Sequence, residues 1–504
     1  MTTTQETNSR TLVGLRSDVR IDERDGVLRL LSRVGSFALR GVAPEVAQAL
    51  RDLVTTPQPD IGDRLPAPQA RQLRQITERA KQLFVRYVEV DGRVLARIEA
   101  TSRDGAYHPA VIEPDARLRL SKFALLRTLD NELVLESPLV KHRFTLVDPA
   151  AAAVVARLGG ECGPADLATL LPVNAAEELA GHLVGAGFVE QGQSDGFPSD
   201  TEAVLRQWDF HDLLTHSRAR SGRFDQPFGG IFPYLGDIEP RPAVKPMPDG
   251  PAIELYRPEL DDVLATDPSL TAVIEARSSV RQYGEQPLTA KQLGEWLYRT
   301  ARVRAVYGPT PNAPYEASTR PYPCGGASYE LELYLTVQRC DGVEPGIYYY
   351  DPVGHRLVLV NNGVQDRQAL LQTASVATAL QADPDVLVTM TSRFQRLSWK
   401  YRAIAYSVSL KHAGVLYQTM YLVATAMGLA PCGLGSGDSD LAARAFGLDY
   451  LTESSVGDFI LGSRPVLPAD APPRPLPESW KPVNDVEWAV SAHSLLRERH
   501  WASS

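Results

Sequence analysis

The stretch Ser398-Trp399-Lys400-Tyr401-Arg402-Ala403-Ile404-Ala405-Tyr406 leads into an almost wholly apolar run from Ala413 to Leu429. That run closes on Gly428-Leu429-Ala430-Pro431-Cys432-Gly433-Leu434-Gly435-Ser436-Gly437-Asp438. The run is broken only by Gln418, Thr419 and Thr425, so it predicts a helix over 407–429 that is buried on all sides. It falls short of the roughly 20 apolar residues needed to cross a bilayer. Gly428 suits a helix cap. The further small residues up to Gly437 suit backbone laid against a planar cofactor. At the mouth of the helix stand a lysine and a tyrosine, two groups that move protons and gain little from burial.

Working outward, residues 255–466 alternate in character. Helices are expected at 270–277, 290–299 and 366–380, and strands at 331–338, 347–351, 357–360, 386–390 and 455–461. This predicts an α+β body in which helices sandwich a sheet around the central helix. Two more constellations lie in it. Ala276-Arg277-Ser278-Ser279-Val280-Arg281-Gln282-Tyr283 offers two guanidiniums and two hydroxyls to a phosphate. Arg320-Pro321-Tyr322-Pro323-Cys324-Gly325-Gly326-Ala327-Ser328 puts small residues ahead of a strand, where a flat ring could approach the backbone. Taken singly, a solvated helix end and an ordinary glycine turn explain these two as well. The 428–437 run is not a dinucleotide fingerprint, because it ends a helix and has the wrong glycine spacing.

A chain of 504 residues is too long for one core and suggests roughly three domains. The N-terminal part repeats a pattern of strands, helices and a closing hairpin, with hairpin turns at Asp25-Gly26 and Asp91-Gly92. This predicts two small winged-helix modules at 11–105 and 115–192. A Gly/Ser/Asp/Pro-rich linker and pre-domain segment follows at 193–254, and a C-terminal extension at 467–504. Winged helices commonly bind DNA, but a net charge of −9 with mixed signs throughout lacks a basic footprint. A peptide-binding role is preferred, and nucleic acid and membrane partners are not expected. Cys162, Cys324, Cys340 and Cys432 are scattered, and the nine histidines show no metal-ligand spacing. No metal is therefore expected, and a reducing cytoplasm is the expected compartment.

In combination, Arg-Ser-Ser-Val-Arg, Pro-Cys-Gly-Gly-Ala, the long helix ending in Gly-Leu-Gly-Ser-Gly, and Gly462-Ser463-Arg464 resemble the nitroreductase superfamily. Trp399-Lys400-Tyr401-Arg402, with the upstream Phe-His-Asp-Leu-Leu and Pro-Phe-Gly-Gly, resembles its SagB-type dehydrogenases, the azoline oxidases of thiazole/oxazole-modified peptides. The resemblance covers about 205–466. The N-terminal half resembles the tandem PqqD-like modules of cyanobactin-type oxidases. The resemblance implies a nitroreductase-like FMN-binding fold, FMN as cofactor, and a homodimer with the flavin and the long helix at the subunit interface. It carries Arg277, Ser278, Ser279 and Arg281 over as phosphate and ribityl contacts, and Cys324 and Gly325 as a flavin loop. Gly433, Leu434, Gly435 and Ser436 become the backbone run along the ring edge, and Arg464 a second phosphate arginine. Lys400 and Tyr401 become the catalytic pair. Cys324 stands where this group usually has serine, and Glu330 where it often has proline.

The implied reaction is dehydrogenation of peptide thiazolines or oxazolines to azoles, in company with a cyclodehydratase and an azoline-bearing precursor peptide. Lys400 and Tyr401 would share the proton transfer, with either as the base. Two rival functions stand beside it. One is a nicotinamide-dependent nitroreductase acting on small molecules, and the other a non-catalytic scaffold binding precursor peptide.

Overall fold

The computed structural model describes residues 9–59, 64–311, 313–466, 481 and 483–501. Much of the expected extension at 467–504 therefore lies outside the described residues. The chain forms two compact units, Met1–Pro227 and Phe228–Ser504. The segment expected as a linker, 193–254, divides between them.

In the N-terminal unit the two hairpins form as their turn chemistry requires. Asp25 and Gly26 have φ of 52° and 68°, and Asp91 and Gly92 of 48° and 80°, so each pair sits in the left-handed region that a tight hairpin turn needs. The halves expected as separate modules share one six-stranded antiparallel sheet, in the order Ser9–Leu15, Phe84–Val90, Arg93–Ala100, His142–Leu146, Glu132–Glu136, Leu125–Leu129. The junction is the pairing of Ala100 with His142 through Ala96 with Leu146. Two apolar cores form, and the second draws Val88, Leu95 and Ile98 from the first half. One gathers Leu30, Leu50, Leu73 and Leu83, the other Phe144, Leu158, Leu179 and Phe188. A buried ion cluster fastens the end of the unit: Asp225 takes Arg16 at 2.6 Å and Arg143 at 2.7 Å.

The C-terminal unit is built on seven strands: β1 (Ala252–Glu254), β2 (Leu331–Val337), β3 (Gly346–Asp351), β4 (Arg356–Asn361), β5 (Val386–Arg393), β6 (Leu429–Leu434) and β7 (Glu453–Ser463). Their spatial order is β1-β4-β3-β2-β5-β7-β6, antiparallel throughout. Besides short helices at Leu260–Thr266 and Phe394–Ser398, it carries α1 (Leu270–Ala276), α2 (Ala290–Ala301), α3 (Val364–Ala377), α4 (Ala405–Ala426), α5 (Ser439–Phe446) and α6 (Val486–Leu496). Alternation along β2 sends Leu333 and Leu335 into a core with α2 and α4, and Tyr334 into a second core with α3 and α5. Covered on both faces, the central strands β2, β3 and β5 are buried end to end. Trp296 of α2 is fully buried and its indole donates to the Met420 carbonyl of α4 at 3.2 Å, which fixes the long helix on the sheet.

Two expectations change. The long helix is not buried all round: Ser409, Ala413, Leu416, Met420 and Ala424 face the core, while Tyr406, Leu410, Gly414 and Gln418 form an exposed stripe four residues apart. The sheet can cover only one side of a cylinder, so an apolar composition does not bring full burial within one chain. The small-residue stretch after the helix is also partly strand. Pro431 is tolerated there because β6 is an edge strand, where a missing N–H breaks no ladder on its outer side.

Candidate functional site

Tyr401 and Arg402 precede α4 as a two-residue strand paired antiparallel with Gly229 and Gly230, so the Pro-Phe-Gly-Gly and Lys-Tyr stretches are one structural device. Gly229 has φ +93°, a conformation that calls for glycine. Gly230 lies under the Tyr401 ring, with room for a methyl at 3.4 Å at best. The Phe232 N–H donates to the Lys400 carbonyl at 3.1 Å. The Lys400 Nζ is surrounded by the rings of Tyr315, Tyr401 and Phe232, at 4.6, 5.2 and 5.9 Å from their centroids. The Lys400 Nζ donates to the Tyr315 hydroxyl, and that hydroxyl donates onward to the Gly326 carbonyl at 2.7 Å. Among the described residues the Tyr401 hydroxyl has no hydrogen-bond partner.

The Cys324–Gly326 loop is held from the other side by α4. The Gly325 N–H donates to His412 Nε2 at 2.7 Å, and His412 Nδ1 lies 2.8 Å from Glu330. A backbone N–H can only donate, so Nε2 accepts and the ring proton sits on Nδ1, directed at the carboxylate. The Cys324 thiol completes the group, 3.5 Å from the same Nδ1 and 3.0 Å from the Tyr329 N–H that donates to it. These thiol, imidazole and carboxylate atoms lie within 4.8 Å of one another, a spacing that a metal ion could use. The hydrogen bonds commit them otherwise, because a metal on Nδ1 would leave an Nε2–H facing the Gly325 N–H. Burial, with the nearby Glu330 charge, pushes the Cys324 thiol up to about 12. Cys324 is therefore a packed thiol, not a nucleophile.

Nine residues further along α4 a second cluster forms. The Tyr421 hydroxyl meets Ser279 Oγ at 2.8 Å and accepts from the Gly433 N–H at 2.7 Å, while its ring lies 5.3 Å from the Arg277 guanidinium. The Val280 N–H donates to Pro431 O at 2.8 Å, so the arginine segment is laced to β6. Arg277 and Arg281 have no carboxylate within 4.0 Å among the described residues, and Ser278 and Ser436 have no hydrogen-bond partner there. A Cβ at Gly435 would meet nothing within 4 Å. Unpaired donors beside open small-residue backbone fit an anionic, flat-ringed cofactor such as a flavin nucleotide. Arg464 is placed differently. Its guanidinium stacks 3.9 Å from the Trp501 ring and donates to Leu429 O at 3.1 Å, and burial pushes it down to about 10.

The chain thus brings Cys324 and Gly325 together with Lys400 and Tyr401, and Arg277, Ser278, Ser279 and Arg281 together with Gly433–Ser436. The two groups lie roughly 14 Å apart along α4, at 1.5 Å per residue between His412 and Tyr421. Sequence reasoning missed Tyr315 and Arg396. Arg396 is buried and donates to the carbonyls of Arg241, Glu316 and Ser328, so it clamps the segments carrying Tyr315 and the Cys324 loop. An arginine three residues ahead of the Trp399–Arg402 motif carries no signal for that role.

The model of the nitroreductase family matches residues 274–463, and that of the cyanobactin oxidase ThcOx matches residues 118–225. The chain is 29% identical over 188 residues to a nitroreductase-type protein of Methanocaldococcus jannaschii, covering 37% of this chain and 86% of the relative. It is 28% identical over 142 residues to the trifolitoxin-processing protein TfxB of Rhizobium leguminosarum bv. trifolii, covering 28% and 38%. It is 29% identical over 132 residues to the microcin B17-processing protein McbC of Escherichia coli, covering 25% and 46%. The chain therefore spans less than half the length of the two peptide-processing relatives. Over residues 274–463 the chain is thus similar to the nitroreductase family, and over residues 118–225 to a cyanobactin oxidase.

Proposed function

We propose that this protein is an FMN-dependent azoline oxidase, converting peptide thiazolines or oxazolines into azoles during maturation of a ribosomally made peptide. The observation that carries this reading is the Lys400–Tyr401 pair set against the Cys324–Gly326 loop, within a nitroreductase-family domain that follows a cyanobactin-oxidase-type segment. The peptide-processing relatives TfxB and McbC support it. Arg277, Ser278, Ser279 and Arg281 would hold the phosphate and ribityl chain, and the backbone of Gly433–Ser436 the ring edge. FMN, when bound, supplies a two-electron hydride acceptor. The chain's own residues must remove the proton from the other ring carbon, whose acidity is raised by the adjacent imine and carbonyl. Tyr401, with its free hydroxyl, and Lys400 beside it are the groups in place to take that proton.

The exposed stripe of α4 supports a homodimer. Tyr406, Leu410, Gly414 and Gln418 lie on the helix that carries both half-sites, so a second copy seated on it would complete each site with the partner's loop. An azoline-bearing precursor peptide and a cyclodehydratase are the proposed partners. No helix of the described residues is long and apolar enough to cross a membrane, and the four cysteines are free, which suits a reducing cytoplasm.

Purified protein should carry a flavin spectrum and remove two hydrogens from an azoline-bearing peptide, read by mass spectrometry. Flavin-loaded protein that leaves such a peptide unchanged, but reduces nitroaromatics with a nicotinamide donor, would overturn the reading. Lys400→Ala is expected to keep flavin and lose azole formation.

A further inference from the structure

Lys400 is held by a tyrosine other than its neighbour in sequence. Its Nζ–H is donated to Tyr315 OH, 85 residues earlier in the chain. Because the Tyr315 hydroxyl spends its own proton on the Gly326 carbonyl at 2.7 Å, its oxygen is free only to accept. The direction of both bonds is therefore fixed, and Lys400 must be the donor. Tyr315 is rigid as well. Its side chain is buried, its ring packs against Phe232 and Trp399 at 6.1 and 6.3 Å, and the neighbouring Glu316 carbonyl is clamped by Arg396 at 2.9 Å. The same Arg396 fixes Ser328 at the far end of the Cys324 loop at 2.6 Å. Tyr315 and Gly326 are thus referenced to one buried guanidinium, and Lys400 is referenced to both. A tyrosine whose only task was to satisfy a carbonyl would need no amine on its oxygen.

We propose that Tyr315 is a positioning residue for Lys400: it fixes the amine against the Gly326 loop and leaves the Tyr401 hydroxyl as the group free to meet substrate. This rests on the azoline-oxidase reading only for its consequence in catalysis; the geometric part stands apart from it. A flexible four-carbon stem has many rotamers, and a misplacement of about 1 Å can cost about 10²-fold in rate. A buried acceptor that admits one stem geometry removes that loss.

Tyr315→Phe deletes one oxygen and keeps the ring packing. In FMN-loaded full-length protein it is expected to lower kcat for an azoline-bearing peptide by roughly 10- to 100-fold. KM and flavin content should stay within about 2-fold. Independently of turnover, Lys400 in the variant should react with limiting acetic anhydride roughly 2- to 10-fold faster than in the wild type, with exposed Lys411 as internal standard. A second variant, Tyr315→His, retains a ring with a hydrogen-bonding atom; it should keep part of the rate, and it serves if the phenylalanine form does not fold. Unchanged Lys400 acylation overturns the proposal, and so does faster acylation with unchanged kcat. A wild type that acts on no azoline peptide would sink the functional reading alone, while the acylation ratio would still decide whether Tyr315 holds Lys400.

Discussion

At Gly326 the backbone has φ +62°, and a methyl group there would overlap Lys400 Nζ and stand 2.8 Å from the Tyr401 hydroxyl. Gly326→Ala is therefore expected to cost about 1–2 kcal/mol for the left-handed alanine. It should also displace the lysine tip, cutting azole formation about 10²-fold; thermal melts and single-turnover kinetics check the two effects separately. Asp458 makes a pH-dependent case. Burial raises its carboxyl from an ordinary 3.8 to about 6, against a hydrogen bond from Thr389 at 2.6 Å that pulls it down. The folded state holds this proton more tightly than the unfolded chain does. Its contribution is thus most favourable below pH 4 and is lost as pH rises through 6, leaving a penalty of about 3 kcal/mol above that. Asp458→Asn should flatten this slope in urea midpoints taken at pH 4.5 and pH 8; a variant that keeps the wild-type slope would reject the assignment. The Cys324 thiol, at about 12, is expected to stay unalkylated by iodoacetamide at pH 8, where roughly one molecule in 10⁴ carries the thiolate. Among single residues, the placing of Lys400 and Tyr401 beside the Cys324–Gly326 loop was foreshadowed in sequence, because titratable groups beside an apolar run stand out. Tyr315 was not. It lies in the proline- and glycine-rich passage around Gly308-Pro309 and Pro311, which has no periodicity to place it, and its partner is remote.

Elements were legible where hydrophobic period and length agreed, as in α2 with its Thr289 capping box and buried Leu293, Trp296 and Leu297. They failed where tertiary context decides. The stretch from Leu429 to Leu434 carried no strand expectation, being read as the helix end and small-residue backbone, yet pairing with β7 makes it the edge strand of the sheet. The outer stripe of α4 was hidden because tyrosine, leucine and glycine look the same in sequence whether their cover is the same chain or a second copy. Leu410 is 41% exposed. Leu410→Asp should thus leave the fold of one chain intact while dissociating the proposed homodimer and releasing flavin. Sedimentation velocity with flavin absorbance tests this, and a flavin-loaded dimer of the variant would refute the stripe as the interface.

At the scale of the whole molecule, each unit owns its apolar cores, one pair of clusters within Leu15–Val189 and the others within Leu255–Leu496. Cores that do not mix predict separable unfolding. Calorimetry should resolve two transitions, and added FMN should raise only that of the C-terminal unit. The shared six-stranded sheet carries a consequence for domain exchange. The junction strands Arg93–Ala100 and His142–Leu146 donate backbone hydrogen bonds to each other, so a cut near 105–115 would expose two fresh sheet edges at once. Any exchange of the N-terminal unit must therefore carry residues 9–227 as one cassette.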